Sequence, residues 1–211
     1  MYKYEFPRPA VTVDLVAFSV DGGQLRVLLV RRSTAPFAGR WTLPGGFVHD
    51  NEPLEASATR VLSAKAEVSD VYLEQLYTFG DPKRDPRDRV ISVAYFAILN
   101  PSQNYDGPGT WFDVTALPEL GFDHTHIVDT AVQRLRAKLT YSDIGFVFMP
   151  AEFTLGELQR NWETILGRPL DKRNFRKAII SKKRVLETGK KSVGGAHPPA
   201  KLYMLAHDVA S

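Results

Sequence analysis

The chain contains no cysteine. Disulfides, a thiolate nucleophile and Cys-ligated zinc are therefore excluded, and a reducing compartment suits it. It also lacks any stretch approaching the roughly 20 apolar residues of a membrane-spanning helix. Its longest apolar-rich run, Val90 to Leu99, is interrupted by Ser92 and reads as a buried strand. The opening residues Met1-Tyr2-Lys3-Tyr4-Glu5-Phe6 lack the apolar core of a secretory signal. A cytoplasmic protein with no membrane partner is expected. What remains is ordinary: 211 residues, 44% hydrophobic and 24% charged, enough for one large domain or two modest ones.

The net charge of +3 hides a division. Residues 1–150 carry 15 Lys and Arg against 18 Asp and Glu, whereas residues 151–211 carry 12 against 6. Such asymmetry points to nucleic acid or a membrane surface, and a solvated basic tail is the plain alternative.

Pro9 to Val20 and Gln24 to Val30 read as strands joined by an Asp21-Gly22-Gly23 hairpin turn. Trp41-Thr42-Leu43 reads as a short strand entering Leu43-Pro44-Gly45-Gly46. Paired glycines permit close backbone approach and positive φ, and such a turn can aim amides at an anion. A helix signal follows, with Asn51 or Glu52 as cap, Pro53 at the first helical position and Glu55 in the first turn; it predicts a helix to about Val68. Val71 to Phe79 is a further strand, followed by a charged loop from Gly80 to Arg89. Gly107 to Val114 makes a turn and short strand. Asp123 is a plausible cap for a helix whose stripe is Ile127, Ala131, Leu135 and Leu139. His124 and His126 near its start read either as caps or core polar groups, or as ligand or metal contacts.

Gly46, five residues, Glu52, seven residues and Arg60 resemble the first half of the Nudix box. The resemblance implies an α/β/α sandwich-like domain with a mixed sheet and a diphosphate pocket. Nudix enzymes hydrolyse nucleoside diphosphate derivatives with metal-activated water. Here the positions that should be Glu are Val61, Ala64 and Lys65, and the final Gly is Glu67. Positions 61, 64 and 65 fall at helical spacing on one face. No metal site and no enzyme activity are expected, and no cofactor is required. Glu52 and Arg60 form a supporting pair, and Lys65 is either a solvated lysine or a partner for ligand phosphate. The run Leu28 to Arg32 and then Pro36 to Trp41 also resembles Nudix proteins, which places Arg31 and Arg32 beside the pocket. The loop and strand Gly80 to Ala97 resemble the ADP-ribose branch, which makes Arg84, Arg87 and Arg89 candidates for phosphate or ribose. With Gly45, Gly46, Glu52, Arg60, Lys65 and His124, these are the candidate ligand-binding residues.

Ser142 to Pro150 closes this unit, so domains of 1–148 and 149–211 are expected. Thr154 and Glu157 have capping-box spacing, and Leu155, Leu158, Trp162 and Ile165 form a buried stripe ended by Gly167 and Pro169. Asp171 caps a second helix to about Ile180, giving a helix-turn-helix. Phe175, Ala178 and Ile179 are expected to face inward. Lys172, Arg173, Arg176 and Lys177 face outward, with Asn174 at the flank, as in a helix that enters the major groove. Lys182, Lys183 and Arg184 extend the charge. Val185-Leu186-Glu187 and Lys201 to Leu205 read as strands. Lys190, Lys191, Gly194, Gly195 and Pro198-Pro199 lie in a long basic loop between them, as in a wing.

A degenerate Nudix domain followed by a winged helix, with Phe153-Thr154-Leu155 and Leu166-Gly167-Arg168-Pro169-Leu170-Asp171, resembles the NrtR family of Nudix-related transcriptional regulators. The resemblance implies a homodimer on a palindromic operator in double-stranded DNA, repression of NAD metabolism genes, and ADP-ribose or a related nucleotide as effector. Sugar-responsive relatives, a residual hydrolase using Glu52, Glu55 or Glu67, and a protein-binding tail are the alternatives.

Overall fold

The Val-rich segment forms β1 (Ala10–Asp21), and Gly22 and Gly23, at φ 57° and 75°, turn the chain into β2 (Gln24–Arg31). Positive φ at both central residues is the hairpin geometry that matches strand twist. The computed structural model describes residues 5–6, 8–66, 71–99, 107–192 and 199–206, without the side chains of Lys65 and Ala66. β3 (Trp41–Thr42), β4 (Gly45–Phe47), α1 (Leu54–Ala66), β5 (Tyr72–Phe79), β6 (Val90–Ile98), β7 (Thr110–Asp113) and α2 (His124–Lys138) complete the first half. The sheet order is β3-β2-β1-β6-β5, with β4 added to β1 and β7 to β2. β1 and β6 run parallel, from Ala10↔Val90 to Phe18↔Ile98, while β5 is antiparallel to β6. The sheet is therefore mixed.

Helix α1 lays Ala58, Val61 and Leu62 on the odd-numbered side chains of β1, Val13, Leu15 and Ala17, together with Leu28, Val93 and Tyr95. Asp14, one step along β1, points to the opposite face and there meets His124 at the start of α2. Helix α2 buries its expected stripe, Ile127, Ala131, Leu135 and Leu139, along with Val128 and Val132.

Three sequence expectations are corrected by the structure. Gly45 and Gly46 are not a positive-φ turn but an extended strand, paired Asp14↔Gly45 and Val13↔Gly46. Close approach, not φ, demands glycine at 45: an added Cβ would sit 2.9 Å from the Val13 carbonyl oxygen and collide with the Asp14 carboxylate. Positions 61 and 64 do not share an environment either. Val61 is buried in the core beneath Gly46, and Ala64 is exposed. Helix α1 begins at Leu54, one residue later than the proline signal indicated. Pro53 accepts the first helical bond from Ser57 and so occupies the cap position. Glu67 and Val68 lie outside the described residues.

One compact unit takes in Leu25–Leu99 and runs on to Arg134, and a second contains Val20–Gln24 and the chain from Leu135. In the second unit α3 (Ile144–Val147), α4 (Leu155–Leu166), α5 (Lys172–Ser181), β8 (Val185–Lys191) and β9 (Lys201–Leu205) follow in order. The segment expected to be a closing loop, Ser142–Pro150, instead supplies α3, and Phe146 and Met149 join the core of Phe153, Leu155, Leu158, Phe175 and Ile179. Backbone bonds between Phe153 and Tyr203 add a third edge to the β8–β9 hairpin. β8 is longer than expected: Lys190 and Lys191 lie in the strand, past a register shift where Gly189 takes φ 76°. Gly194, Gly195 and Pro198 lie outside the described residues. Among those described, no helix is long and apolar enough to cross a membrane.

Gly145 is the tightest point of this second core. A Cβ there would lie 2.6 Å from Trp162 Cε2 and 2.7 Å from Cδ2 of the buried Leu139. Gly145→Ala is expected to destabilise by about 1–3 kcal/mol through overpacking, read as a lowered urea midpoint at unchanged slope.

Candidate ligand pocket and nucleic-acid interface

A carboxylate in the middle of a Val-rich buried strand organises the pocket. Asp14 is 6% exposed. Its Oδ2 accepts from Ser92 Oγ of β6 at 2.5 Å and from an Arg84 NH2 at 3.3 Å. Arg84 turns its other edge to Asp123, Nε to Oδ2 at 2.9 Å and NH2 to Oδ1 at 2.8 Å, a two-pronged match of guanidinium to carboxylate. The Asp123 carbonyl starts helix α2, but its carboxylate is occupied by Arg84. His124 Nδ1 accepts the Leu43 backbone N–H at 2.8 Å, so the ring's single hydrogen sits on Nε2, 3.6 Å from Asp14 Oδ1. Burial holds the His124 pKa below its ordinary 6.5, and the neighbouring Asp14 and Asp123 only partly oppose this.

Above this floor lies a cavity of about 450 Å³. Arg31, Arg32, Gly45, Gly46, Arg84, Arg87 and His124 of the expected ligand set line it, with Asp14, Phe47, Asp85 and Phe122, which the sequence reading missed. Arg87 is paired with Asp85 through Nε at 3.0 Å and NH2 at 2.7 Å, and this bond lowers the Asp85 pKa. The Arg87 guanidinium lies 5.8 Å from the Phe47 ring and 5.7 Å from the Phe122 ring, with Arg32 5.1 Å from Phe122. Arg31 and Arg32 donate to the backbone carbonyls of Gly39 and of Pro36 and Ala35. Burial, and then the Arg87 charge, depress the Arg32 pKa. The cavity is therefore short of negative charge.

Three members of the expected set, Arg89, Glu52 and Arg60, do not line the cavity. Arg84 lines the cavity but is buried between two carboxylates, so its charge is already matched. Arg89 is exposed and does not line the cavity. Glu52 and Arg60 pair with each other at 2.5 and 2.9 Å, while Arg60 also reaches the Phe47 carbonyl and Glu52 accepts from the His49 N–H. The bond from Arg60 is the main cause that holds Glu52 at about 2. This pair staples β4 to α1 and does not face the cavity. The Lys65 side chain lies outside the description. The missed Asp14 had a signal, a lone acid between Val13 and Leu15.

In the second unit the helix-turn-helix forms as its caps specify. Thr154 and Glu157 make the reciprocal capping box, Gly167 takes the left-handed end of α4, and Asp171 caps α5 through the Asn174 N–H. A clamp invisible to spacing fixes the turn. Glu163 accepts from the Leu170 N–H at 2.8 Å and from Gln159 at 3.0 Å, and Gln159 also donates to the Leu170 carbonyl. Helix α5 buries Phe175 and Ile179, while Ala178, expected inside, is exposed. Lys172, Arg173, Asn174, Arg176 and Lys177 are all exposed, and among the described residues the four cations have no ion pair. Lys182, Lys183 and Lys191 are exposed too. Arg184 is paired with Asp143, and Lys190 with Glu152 at 2.7 Å.

A Nudix-type pocket domain followed by a winged helix with a bare cationic α5 defines a Nudix-domain transcriptional regulator. Family models match accordingly: NUDIX domain over residues 8–131 and NrtR DNA-binding winged helix domain over 145–205. The ADPR responsive transcriptional repressor NtrR of Acinetobacter baylyi is 39% identical over 97% of this chain and 85% of its own length. Shewanella oneidensis NrtR in complex with a 27mer DNA superposes with a TM-score of 0.82 at 36% identity, over 92% of this chain and 93% of that one. The NUDIX domain of the same protein complexed with ADP ribose gives 0.54 at 37% identity, over 62% of this chain and 90% of that one. The chain belongs to the NrtR family of transcriptional regulators.

Removing Arg84 leaves Asp14 and Asp123 facing each other without a cation. Arg84→Met is expected to cost about 3–5 kcal/mol of stability, measured by urea unfolding. His124 sets a pH dependence. Because its folded pKa lies below the ordinary value, the unfolded chain takes up the proton first as pH falls through about 6.5, and stability falls with it. Between pH 7.5 and 5.5 the wild-type urea midpoint should therefore drop further than that of His124→Gln.

Proposed function

We propose that this protein represses genes of NAD metabolism as a homodimer on a palindromic operator, and that ADP-ribose, bound in the cavity above Asp14, releases it from DNA. The carrying observation is the charge of that cavity: among the described residues Arg31 and Arg32 form no ion pair and donate to backbone carbonyls, and the Arg32 pKa is depressed by burial and by Arg87. A diphosphate supplies the missing charge, and guanidinium groups suit its oxygens. Relatives named for ADP-ribose response and crystallised with ADP ribose and with DNA support both halves of the reading.

The donor set does not fit the metal that Nudix hydrolases use. A hard divalent ion needs several oxygen ligands. Val61 is apolar and buried in the α1 core, Ala64 has no donor, and Glu52 is engaged by Arg60. Glu55 is the remaining described acid of this helix. These side chains support a reading of binding without hydrolysis, in which no bound cofactor is required.

On the DNA side, α5 presents Lys172, Arg173, Asn174, Arg176 and Lys177 for phosphates and base edges of the major groove. Release requires that ADP-ribose bind the DNA-incompetent state more tightly. A difference of about 1–3 kcal/mol corresponds to roughly 5–150-fold coupling.

Anisotropy of a labelled operator duplex at fixed salt tests the reading. Arg173→Ala or Arg176→Ala should each weaken operator binding by about 1–3 kcal/mol. Arg87→Ala should keep operator affinity and lose the response to ADP-ribose. Operator binding that ignores ADP-ribose in the wild type overturns the effector assignment. Mg²⁺-dependent release of AMP from ADP-ribose overturns the non-enzymatic one.

A further inference from the structure

From Leu135 to Ala206 the chain carries six acids, and they divide into two sets of three. Glu157, Glu163 and Asp171 accept from the backbone N–H groups of Thr154, Leu170 and Asn174, and so build the helix-turn-helix. Asp143, Glu152 and Glu187 do something else. Each sits on a cation of the wing or of its approach: Asp143 on Arg184, Glu152 on Lys190 at 2.7 Å, and Glu187 on Lys201 at 2.9 Å. They come from three separate places, the residue before α3, the entry to α4 and strand β8.

Folding stability does not account for these pairs. Lys190 is 66% exposed and Lys201 60%, and ion pairs this open to water add little to stability. The ladder points to another role. Lys191 and Lys201 stand directly opposite each other across β8 and β9. Like charges so placed repel, and an anion beside either one relieves the repulsion. Glu187 brings that anion to Lys201, and its bond raises the Lys201 pKa. On a duplex the anion that meets such cations is a phosphate.

We propose that Asp143, Glu152 and Glu187 are internal phosphate surrogates that set DNA specificity: they keep the wing cations occupied on sequence-blind DNA and release them only where base contacts by α5 hold the wing against the backbone. The assignment rests on the reading of α5 as the helix that enters the major groove. Sequence-blind binding is almost wholly phosphate attraction, so cations withheld from phosphate weaken it most. On the operator, base contacts add the energy that opens the pairs.

Fluorescence anisotropy over a salt series compares two labelled duplexes. One is an operator selected by the wild-type protein from random-sequence DNA, and the other is a scrambled duplex of the same length and composition. Glu152→Gln and Glu187→Gln keep the side-chain shape and remove the charge, and an unchanged urea midpoint checks that each variant folds. Each should bind the scrambled duplex about two- to fivefold more tightly. The slope of log affinity against log salt should steepen by about one. Operator affinity should rise less, so the ratio of operator to scrambled affinity falls. Lys190→Gln should weaken operator binding and leave scrambled binding where it was. A ratio that falls in neither glutamine variant overturns the surrogate role, as does a Lys190→Gln loss equal on both duplexes. A wild-type protein that selects no sequence overturns the reading of α5, and the surrogate role with it.

Discussion

Three charges largely withdrawn from water, Asp14, Arg84 and Asp123, hold the pocket domain in register. Taking such groups from solvent costs several kcal/mol per ion, so they persist only where every partner is in place. Here the partners come from five separate segments: β1 gives Asp14, β6 gives Ser92, the loop before β6 gives Arg84, and the start of α2 gives Asp123 and His124. The fifth is the β3–β4 link, whose Leu43 N–H fixes the histidine tautomer. The glycine at 45 follows from the same centre, because Asp14 leaves no space for a side chain opposite it. The sequence reading gave close approach and positive φ as reasons for these glycines in a loop; they lie in a strand, and close approach is the reason that holds at 45.

Legibility followed the range of the interaction. The Gly22-Gly23 hairpin, the Thr154–Glu157 box, the Gly167 stop and the Asp171 cap are local, and each formed where its spacing placed it. The stripe of α2 was legible for the same reason, since period alone defines a face. The carboxylate partners of Arg84 were not legible because they lie 70 and 39 residues away, and a loop arginine looks alike whether it meets phosphate or a buried aspartate. The Gln159–Glu163 clamp on Leu170 was missed because polar residues on a helix give no sign of which side chains turn back to the chain. Phe47 and Phe122 escaped notice because aromatic residues are ordinarily read as core.

Where the Nudix pattern has glutamates the box helix carries Val61, Ala64 and Lys65, and the helix still forms. Its supporting pair survives, Arg60 still tying Glu52, the Phe47 carbonyl and Ser57 together across β4 and α1. That pair positions the helix whatever stands one turn further on. Val61 then adds apolar packing against Val13, Leu15 and Gly46, which a carboxylate at this position would forfeit. Position 61 thus contributes hydrophobic burial to the core of the sheet and α1.

The surplus of positive charge in the last sixty residues is less uniform than composition implies. Arg184, Lys190 and Lys201 are matched by Asp143, Glu152 and Glu187, so a phosphate that takes any of them must first displace a carboxylate. The four cations of α5 carry no such partner among the described residues. Counterion release, which gives protein–DNA affinity its salt dependence, scales with the phosphates newly neutralised. The α5 cations therefore contribute fully to that term and the wing cations only in part. On the proposed reading α5 sets orientation and register on the duplex, and it is itself fixed by Asp171 at its start and by the Gln159–Glu163 clamp on the turn before it.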